Sequence, residues 1–430
     1  MKALLKPFIA VALQWEAKRV LRKYKPHVVA VTGSVGKTST KDAIYTILAS
    51  AVYVRKSEKS FNSEIGIPLT IIGQPNAWLN PLGWIRNLLE GLSLILLRNH
   101  YPKWLVLEVG ADRPGDIQKV AGWLYPDIVV ITRLPDVPVH VEFFDSPEAV
   151  IDEKSYLPRA LRPGGVLILN ADDDRTSQFR ELGEGATVLT YGFKAGADIH
   201  AAHEHIIYES GVPVGMSSKV DYRGSSVPIT VRGALGRQSL YAILAALAVG
   251  ASQGQNLVDM GAALKKHVTP PGRMCVLPGI RSSVLIDDTY NSSPVAAEEA
   301  LVAFKSTETK GKRIAVLGDM MELGTFSAEA HRALGAQVAE SADVLITVGL
   351  RSRYIAEGAH KAGMKKRAMY SCEEPSQATE KLKKIIEEGD TVLLKASQSV
   401  RLEKTVRELL AKPEDAGSLL ARQDDAWQRR

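Results

Sequence analysis

Residues 28–40, VVAVTGSVGKTST, leave little choice about local structure. A β-branched run ends in Thr32-Gly33-Ser34-Val35-Gly36-Lys37-Thr38, and a helix-compatible sequence from Ser39 to Ala49 follows at once. That order is strand, phosphate loop, helix. Gly33 and Gly36 allow a tight turn whose N–H groups face inward, and the helix N-terminus adds partial positive charge where a polyphosphate would lie. Lys37 then reaches the terminal phosphates, and the Thr38 hydroxyl can hold Mg²⁺. Val31 stands where the longer form of this loop has its first glycine, so the match is to the shorter TGxxGKT variant. An ordinary glycine-rich turn is the alternative, and strand before, helix after and Gly-Lys-Thr between speak against it.

The 430 residues suffice for two or three domains, each with its own core. The excess of six basic charges would suit an anionic partner such as a nucleotide, nucleic acid or a membrane surface, but it is spread thinly. Two distant cysteines, Cys275 and Cys372, indicate neither a disulfide framework nor a zinc site and fit a reducing cytoplasm. No apolar run reaches the roughly 18 residues of a spanning helix.

Residues 1–26 read as an amphipathic helix, with Leu4, Phe8, Val11 and Trp15 on one side and Lys2, Lys6, Lys18, Arg19, Arg22 and Lys23 elsewhere. It suits packing on the neighbouring domain and lying on anionic lipid equally well. Residues 78–100 give a second amphipathic stretch, with Trp84, Leu88, Leu92 and Ile95 at helical spacing, a pattern more often core than membrane contact. Strands expected at 104–107, 127–132, 166–169 and 187–191, alternating with helices, describe a mostly parallel sheet covered on both faces. Residues 198–231 suggest an antiparallel excursion, and 239–251 a helix. After Pro270-Pro271-Gly272 the βα alternation restarts, with strands at 283–286, 313–317, 343–348 and 391–395. The expected fold is thus α/β: a central phosphate-loop domain of mostly parallel sheet over 27–270, then a smaller Rossmann-like domain over 271–412 and a frayed tail over 413–430.

Several polar residues follow predicted strands, where doubly wound sheets place their ligands. Glu108 ends one strand and can share a Mg²⁺ with Thr38. His140 and Glu142 follow another strand of the same sheet. In the second domain, Asp287-Asp288-Thr289-Tyr290-Asn291 and Asp319-Met320-Met321-Glu322 each put acids just past a strand. Such clusters could receive a ribose, a metal or an incoming amine, and spacing does not choose among them.

Taken in order, TGSVGKTST, NSEIGIPLT, LEVGADRPGDI, HVEFF, LNADDD, PPGRM, DDTYNSSP, VLGDMMELG followed by His331, and VLLKAS resemble the Mur ligase family over residues 27 to about 410. VLGDMMELG and DDTYNSSP resemble the branch that adds D-alanyl-D-alanine to a UDP-N-acetylmuramoyl tripeptide in peptidoglycan synthesis. The resemblance implies an ATP-dependent amide ligase working through an acyl phosphate. It implies ATP binding by Gly33, Ser34, Gly36, Lys37, Thr38, Ser39, Arg273, Asp288 and Asn291. It also implies metal binding by Thr38, Glu108, His140 and Lys154, catalytic roles for Lys37, Lys154 and His140, and a CO₂-derived carbamate on Lys154. The implied substrates are a muramyl peptide and D-Ala-D-Ala, with no nucleic acid and with peripheral membrane association as an option. The chain departs from the family at Gln238, Ser239 and Ala242, at Arg133, and at Ala396 and Gln398. Only about thirty residues precede the phosphate loop, so the family's UDP-sugar-binding domain is expected to be absent. A ligase for another peptide or polymer, and a degenerate nucleotide-binding scaffold, are the alternative expectations.

Overall fold

The computed structural model describes residues 2–58, 61–78, 80–183, 185–424 and 427, and for residues 2–5 the backbone only. The side chains of Lys2 and Leu4 in the first amphipathic pattern therefore lie outside the described residues.

The first sheet holds β1 (His27–Thr32), β2 (Val54–Lys56), β3 (Trp104–Glu108), β4 (Ile128–Ile131), β5 (Val166–Asn170), β6 (Thr187–Gly192), β7 (Ile199–Glu209), β8 (Val212–Tyr222) and β9 (Ser225–Arg232). Their order is β2-β3-β1-β4-β5-β6-β7-β8-β9. Pairing is parallel from β2 to β7 and antiparallel from β7 to β9, the expected excursion. The near-continuous apolar runs follow from burial on both faces. Val29, Val31, Val106 and Val130 point to one face, while Val28, Ala30, Leu105, Leu107 and Val129 point to the other, and all are buried. The first face is covered by α2 (Lys37–Ala49) and the helix Arg237–Ser252.

The opposite face lies under α1 (Lys2–Tyr24), α3 (Gly66–Ile72), α4 (Pro81–Leu96), α5 (Asp116–Ala121) and α6 (Pro147–Arg159). Leu13, Ala17 and Val20 of α1 are fully buried there, so the inner side of this helix is core. The periodicity of α4 is only half explained by packing: Trp84, Leu88 and Ile95 lean on the core, whereas Leu92 is turned outward. Leu13→Ala leaves a cavity beneath α1 and is expected to cost about 3 kcal/mol, read from urea unfolding of the full chain.

The second sheet holds β10 (Cys275–Pro278), β11 (Val284–Asp288), β12 (Arg313–Gly318), β13 (Val344–Val348), β14 (Met369–Cys372) and β15 (Thr391–Lys395), in the order β10-β11-β15-β12-β13-β14. Of these strands only β10 is antiparallel to its neighbour. The described tail is not frayed. Leu420 and Ala421 are buried, and the buried Arg422 pairs with Glu403 at 3.2 Å and donates to the carbonyls of Thr289 (3.2 Å) and Tyr290. A guanidinium with three acceptors organises a segment whose composition alone suggests solvent. Residues 425, 426 and 428–430 of the tail lie outside the described residues.

Candidate active site

β1 lies between β3 and β4, where successive connections leave in opposite directions, and the loop after it opens into the crevice this creates. Gly33 has φ +135°, and a Cβ there would run into Thr132 Oγ1 and press on the Thr132 backbone. Gly36, at φ +87°, heads α2. Both positions need glycine, one for space and one for a left-handed turn. Ser34 N donates to Arg133 O (2.8 Å), fixing the loop against the strand beyond. The buried Ser34 Oγ has no partner, as befits a hydroxyl waiting for an acceptor or donor from outside the chain. Gly33→Ala is expected to weaken ADP binding by at least about tenfold in titration calorimetry, because the loop must shift off Thr132.

Lys37 Nζ donates to Gly33 O (2.9 Å) and Ser34 O (3.4 Å), so it lies folded over the loop it must serve. Burial lowers its pKa, while Glu108 and Asp112 work the other way and Arg273 adds to the lowering. The ammonium is therefore held where a polyphosphate would reinforce its charge. Thr38 Oγ1 donates to Glu108 Oε2 (3.0 Å), and Asn62 Nδ2 approaches Glu108 Oε1 (3.5 Å). Among the described residues no three His, Cys, Asp or Glu side chains converge as a metal cage. Mg²⁺ beside phosphates does not need one, since it uses one or two protein oxygens and keeps water and phosphate for the rest. The hydroxyl–carboxylate pair of Thr38 and Glu108 fits that pattern.

His140 sits at the start of the short turn Val141–Phe143 with φ +72°. Its Nδ1 meets Glu322 Oε2 at 2.7 Å, and its Nε2 lies 3.6 Å from Asp112 Oδ1. The hydrogen bond from His140 lowers the Glu322 pKa. This side chain therefore ties the two sheets together, a role not foreseen for it in the sequence.

Lys154 is buried on α6, which Ser146 caps by accepting from Ala149 N (3.2 Å). Its neighbour Glu153 accepts from the backbone N–H groups of Gly115 (2.9 Å), Ile117 (2.7 Å) and Gln118 (3.0 Å), pinning α5 to α6. Burial, with help from the nearby Lys37 charge, brings the Lys154 pKa down to about 7. A large share of its amine is then neutral near pH 7, the state in which nitrogen is a nucleophile.

The second sheet supplies the far wall. The guanidinium of Arg273 lies 4.2 Å from the Tyr290 ring centroid, and its buried Nε has no partner. Asp288 is already committed inside the protein: Oδ1 accepts from Met274 N (3.2 Å) and Oδ2 from Lys395 Nζ (2.6 Å). Asp287 is fully buried and caps its own turn through Thr289. Asp319 accepts from Ser352 N (2.7 Å), and His331 Nε2 accepts from Met320 N (3.0 Å). These acids and this histidine shape loops. What they present to the cleft is Asn291, Met321 and Glu322.

Together these groups line a cleft of about 790 Å³ that contains Ser34, Gly36, Lys37, Thr38, Asn62, Glu108, Asp112, His140 and Arg273. Beside it, Ser39, Gln238, Ser239, Ala242, Asp288 and Asn291 border a narrower recess. Gln238 carries a buried, unpartnered Oε1 there, so the departure from the family leaves an acceptor in place. Sequence reasoning missed Arg113, Phe143, Arg401 and Trp427, all of which reach the cleft. Arg113 and Phe143 lie inside LEVGADRPGDI and HVEFF, and Arg401 lies just past VLLKAS, whereas Trp427 carries no sequence signal.

Comparison with known proteins agrees with this fold. The profile of the Mur ligase middle domain matches residues 31–80 and 87–250, and that of the Mur ligase glutamate ligase domain matches 272–398. The UDP-N-acetylmuramoyl-tripeptide–D-alanyl-D-alanine ligase of Bacillus subtilis is 29% identical over 403 residues, covering 94% of this chain and 80% of its own. The Escherichia coli ligase of the same name is 27% identical over 399 residues, covering 91% and 78%. Among solved structures, MurF of Thermotoga maritima in complex with ADP superposes with a TM-score of 0.73 at 25% identity, covering 93% of this chain and 83% of that one. MurF of Acinetobacter baumannii gives a TM-score of 0.76 at 22% identity, with 93% and 80% covered. A phosphate loop on a mostly parallel sheet, faced across a cleft by a smaller sheet and matched by both profiles, makes this chain a member of the Mur ligase family of ATP-dependent amide-bond ligases.

Proposed function

We propose that the chain joins the amine of a D-alanyl-D-alanine-like dipeptide to the carboxylate of a muramyl peptide, as a cytoplasmic step of peptidoglycan synthesis. The observation that carries this reading is the convergence of Lys37, the Thr38–Glu108 pair and Arg273 on one cleft, with Lys154 close enough to Lys37 for their charges to couple. The named relatives of this substrate class span almost the whole chain and support the choice of substrates.

In this reading the loop N–H groups of 33–38 hold the phosphates of ATP, and Lys37 swings from the Gly33 carbonyl to the γ-phosphate. Arg273 reaches the same phosphates from the second sheet, using the guanidinium edge left without a partner. A peptide carboxylate oxygen attacks the γ-phosphorus, ADP leaves, and the acyl phosphate is then attacked by the dipeptide amine, releasing phosphate and one proton. Mg²⁺ held at Thr38 and Glu108 would neutralise charge on the transferring group. The neutral amine of Lys154 can add to CO₂, lose a proton and present an anionic oxygen to the same region. His140 orders the cleft by bridging Asp112 and Glu322.

The test is release of ADP and formation of the pentapeptide product from UDP-muramyl tripeptide, D-Ala-D-Ala and ATP. Product formation with all three, and none without the dipeptide, is expected. ATP hydrolysis that depends on another amine would move the assignment to a Mur-type ligase with a different second substrate. No amine-dependent turnover with any dipeptide would leave a nucleotide-binding scaffold.

A further inference from the structure

α1 and α4 lie side by side and run in the same direction. Glu16 packs on Gly91, where a Cβ would collide with its carboxylate. Seven residues on, Lys23 Nζ donates to the carbonyls of Leu94 (2.8 Å), Ile95 (3.0 Å) and Leu97, placing a cation on the C-terminal end of α4. The inner sides of the pair are core, as described above. The outer sides are uncovered apolar surface.

On α1, Phe8 is 74% exposed, and Val11 and Trp15 follow on the same side. On α4, Leu82, Ile85, Leu89, Leu92 and Leu96 recur at helical spacing, with Leu82 and Leu96 each 76% exposed. Scattered surface leucines are ordinary, but continuous stripes on two adjoining helices mark an interaction surface.

The charges around it choose the partner. Between residues 6 and 25 stand Lys6, Lys18, Arg19, Arg22, Lys23 and Lys25 against a single acid, Glu16. That acid is buried in the helix contact, and burial pushes its pKa up to about 7. Helical spacing carries Lys18, Arg19 and Arg22 onto the side that Phe8, Val11 and Trp15 occupy nearer the N-terminus, so the stripe is apolar first and basic after. At the basic end, Lys18, Arg22, Lys25 and Arg162 share a cavity of about 480 Å³ with Trp123 and Tyr125. A second copy of the chain would bring this positive field against itself, and lysine is depleted from protein interfaces. No helix among the described residues is long and apolar enough to cross a membrane.

We propose that the α1–α4 pair is a membrane-docking surface for anionic phospholipid. Its apolar stripes lie among the upper acyl chains, and Lys18, Arg19, Arg22 and Lys25 sit on the headgroup phosphates. Docked this way, the chain holds its cleft near the bilayer. Lys6 pairs with Glu64 (3.1 Å), two residues from Asn62 on the cleft wall, so the N-terminal end of the apolar stripe shares an end of the sheet with the phosphate loop.

Flotation of the full chain with vesicles of phosphatidylcholine, with and without phosphatidylglycerol, tests this at low and physiological salt. Binding is expected only to the anionic vesicles, weakening several-fold as salt rises. Leu89→Ser with Leu96→Ser should weaken it by at least about tenfold, while the melting temperature and ADP binding stay unchanged, because both side chains are exposed. Arg19→Gln with Arg22→Gln should weaken it and flatten its salt dependence. The proposal is overturned if the wild-type chain fails to float at low salt, or if the leucine variant floats as well as wild type. It is equally overturned if sedimentation shows a dimer in solution that the leucine variant turns into a monomer, since the stripes would then be covered by a second copy.

Discussion

Lys37→Ala is expected to abolish ATP-dependent ligation, with kcat falling by about 10³-fold or more. Among the described residues its hydrogen bonds go to the carbonyls of its own loop, Gly33 and Ser34, and it belongs to no apolar core, so the melting temperature should stay close to that of the wild type. The loss arises because this ammonium is the cation positioned to follow charge onto the transferring phosphoryl group, and water cannot replace it in a cleft shielded on two sides by sheets. Lys37→Arg should not rescue, because a broad planar guanidinium cannot fold onto the Gly33 and Ser34 carbonyls and follow one phosphoryl group as the compact ammonium does. Single-turnover phosphoryl transfer is the measurement. Activity within a few-fold of wild type would remove the phosphate loop from the mechanism.

Lys154→Ala is expected to be inactive for a different reason, and to be partly rescued by acetate or formate. Truncating the side chain would leave a vacancy in a buried site beside Lys37, and a small carboxylate entering it would restore the anionic oxygens proposed for a carbamate. The pH dependence has a definite sign. With the Lys154 pKa brought down to about 7, the neutral amine dominates above that value and the ammonium below it. Only the neutral amine adds to CO₂, so activation by added bicarbonate should fade as pH drops from about 8 to about 6, the range that spans this lowered pKa. Mass spectrometry of the protein trapped with a methylating reagent provides a readout independent of turnover. An unmodified Lys154 at alkaline pH and saturating CO₂, in an enzyme that is nonetheless active, would exclude the carbamate.

Most of the architecture was legible from residues 27 onward because buried parallel strands can be built only from apolar, β-branched runs, and those runs are unmistakable at β1, β4, β12 and β13. The strands missed were β2, β10 and β14, each at the edge of its sheet. An edge strand needs apolar residues on fewer sides, so Val54-Arg55-Lys56 and Met369-Tyr370-Ser371-Cys372 carry little pattern. Site residues whose chemistry depends on local sequence, such as the loop glycines and Lys37, could be read directly. The relation of Lys154 to Lys37, and of His140 to Glu322, is created only by packing of separate elements. Periodicity likewise put apolar residues on α1 and α4 but could not say how much of each helix the core would take.

The packed tail limits how this protein can be handled. The glutamate ligase domain profile ends at residue 398, and everything after about 412 has the composition of a disposable extension. Arg422 nevertheless lies over the Tyr290 ring, 5.0 Å from its centroid, and the same ring lies under Arg273 of the cleft. Trimming the chain at residue 398 would remove Arg422, whose guanidinium donates to the carbonyls of Thr289 and Tyr290, and would strip that ring of its outer cover. A purification tag fused shortly after residue 424 would be anchored within reach of the cleft, since Trp427 already lines it. Shortened or C-terminally tagged versions would therefore report on a damaged cleft, and an amino-terminal tag would intrude on α1 instead. A cleavable carboxy-terminal tag behind a long flexible spacer leaves both ends of the molecule closest to their native state.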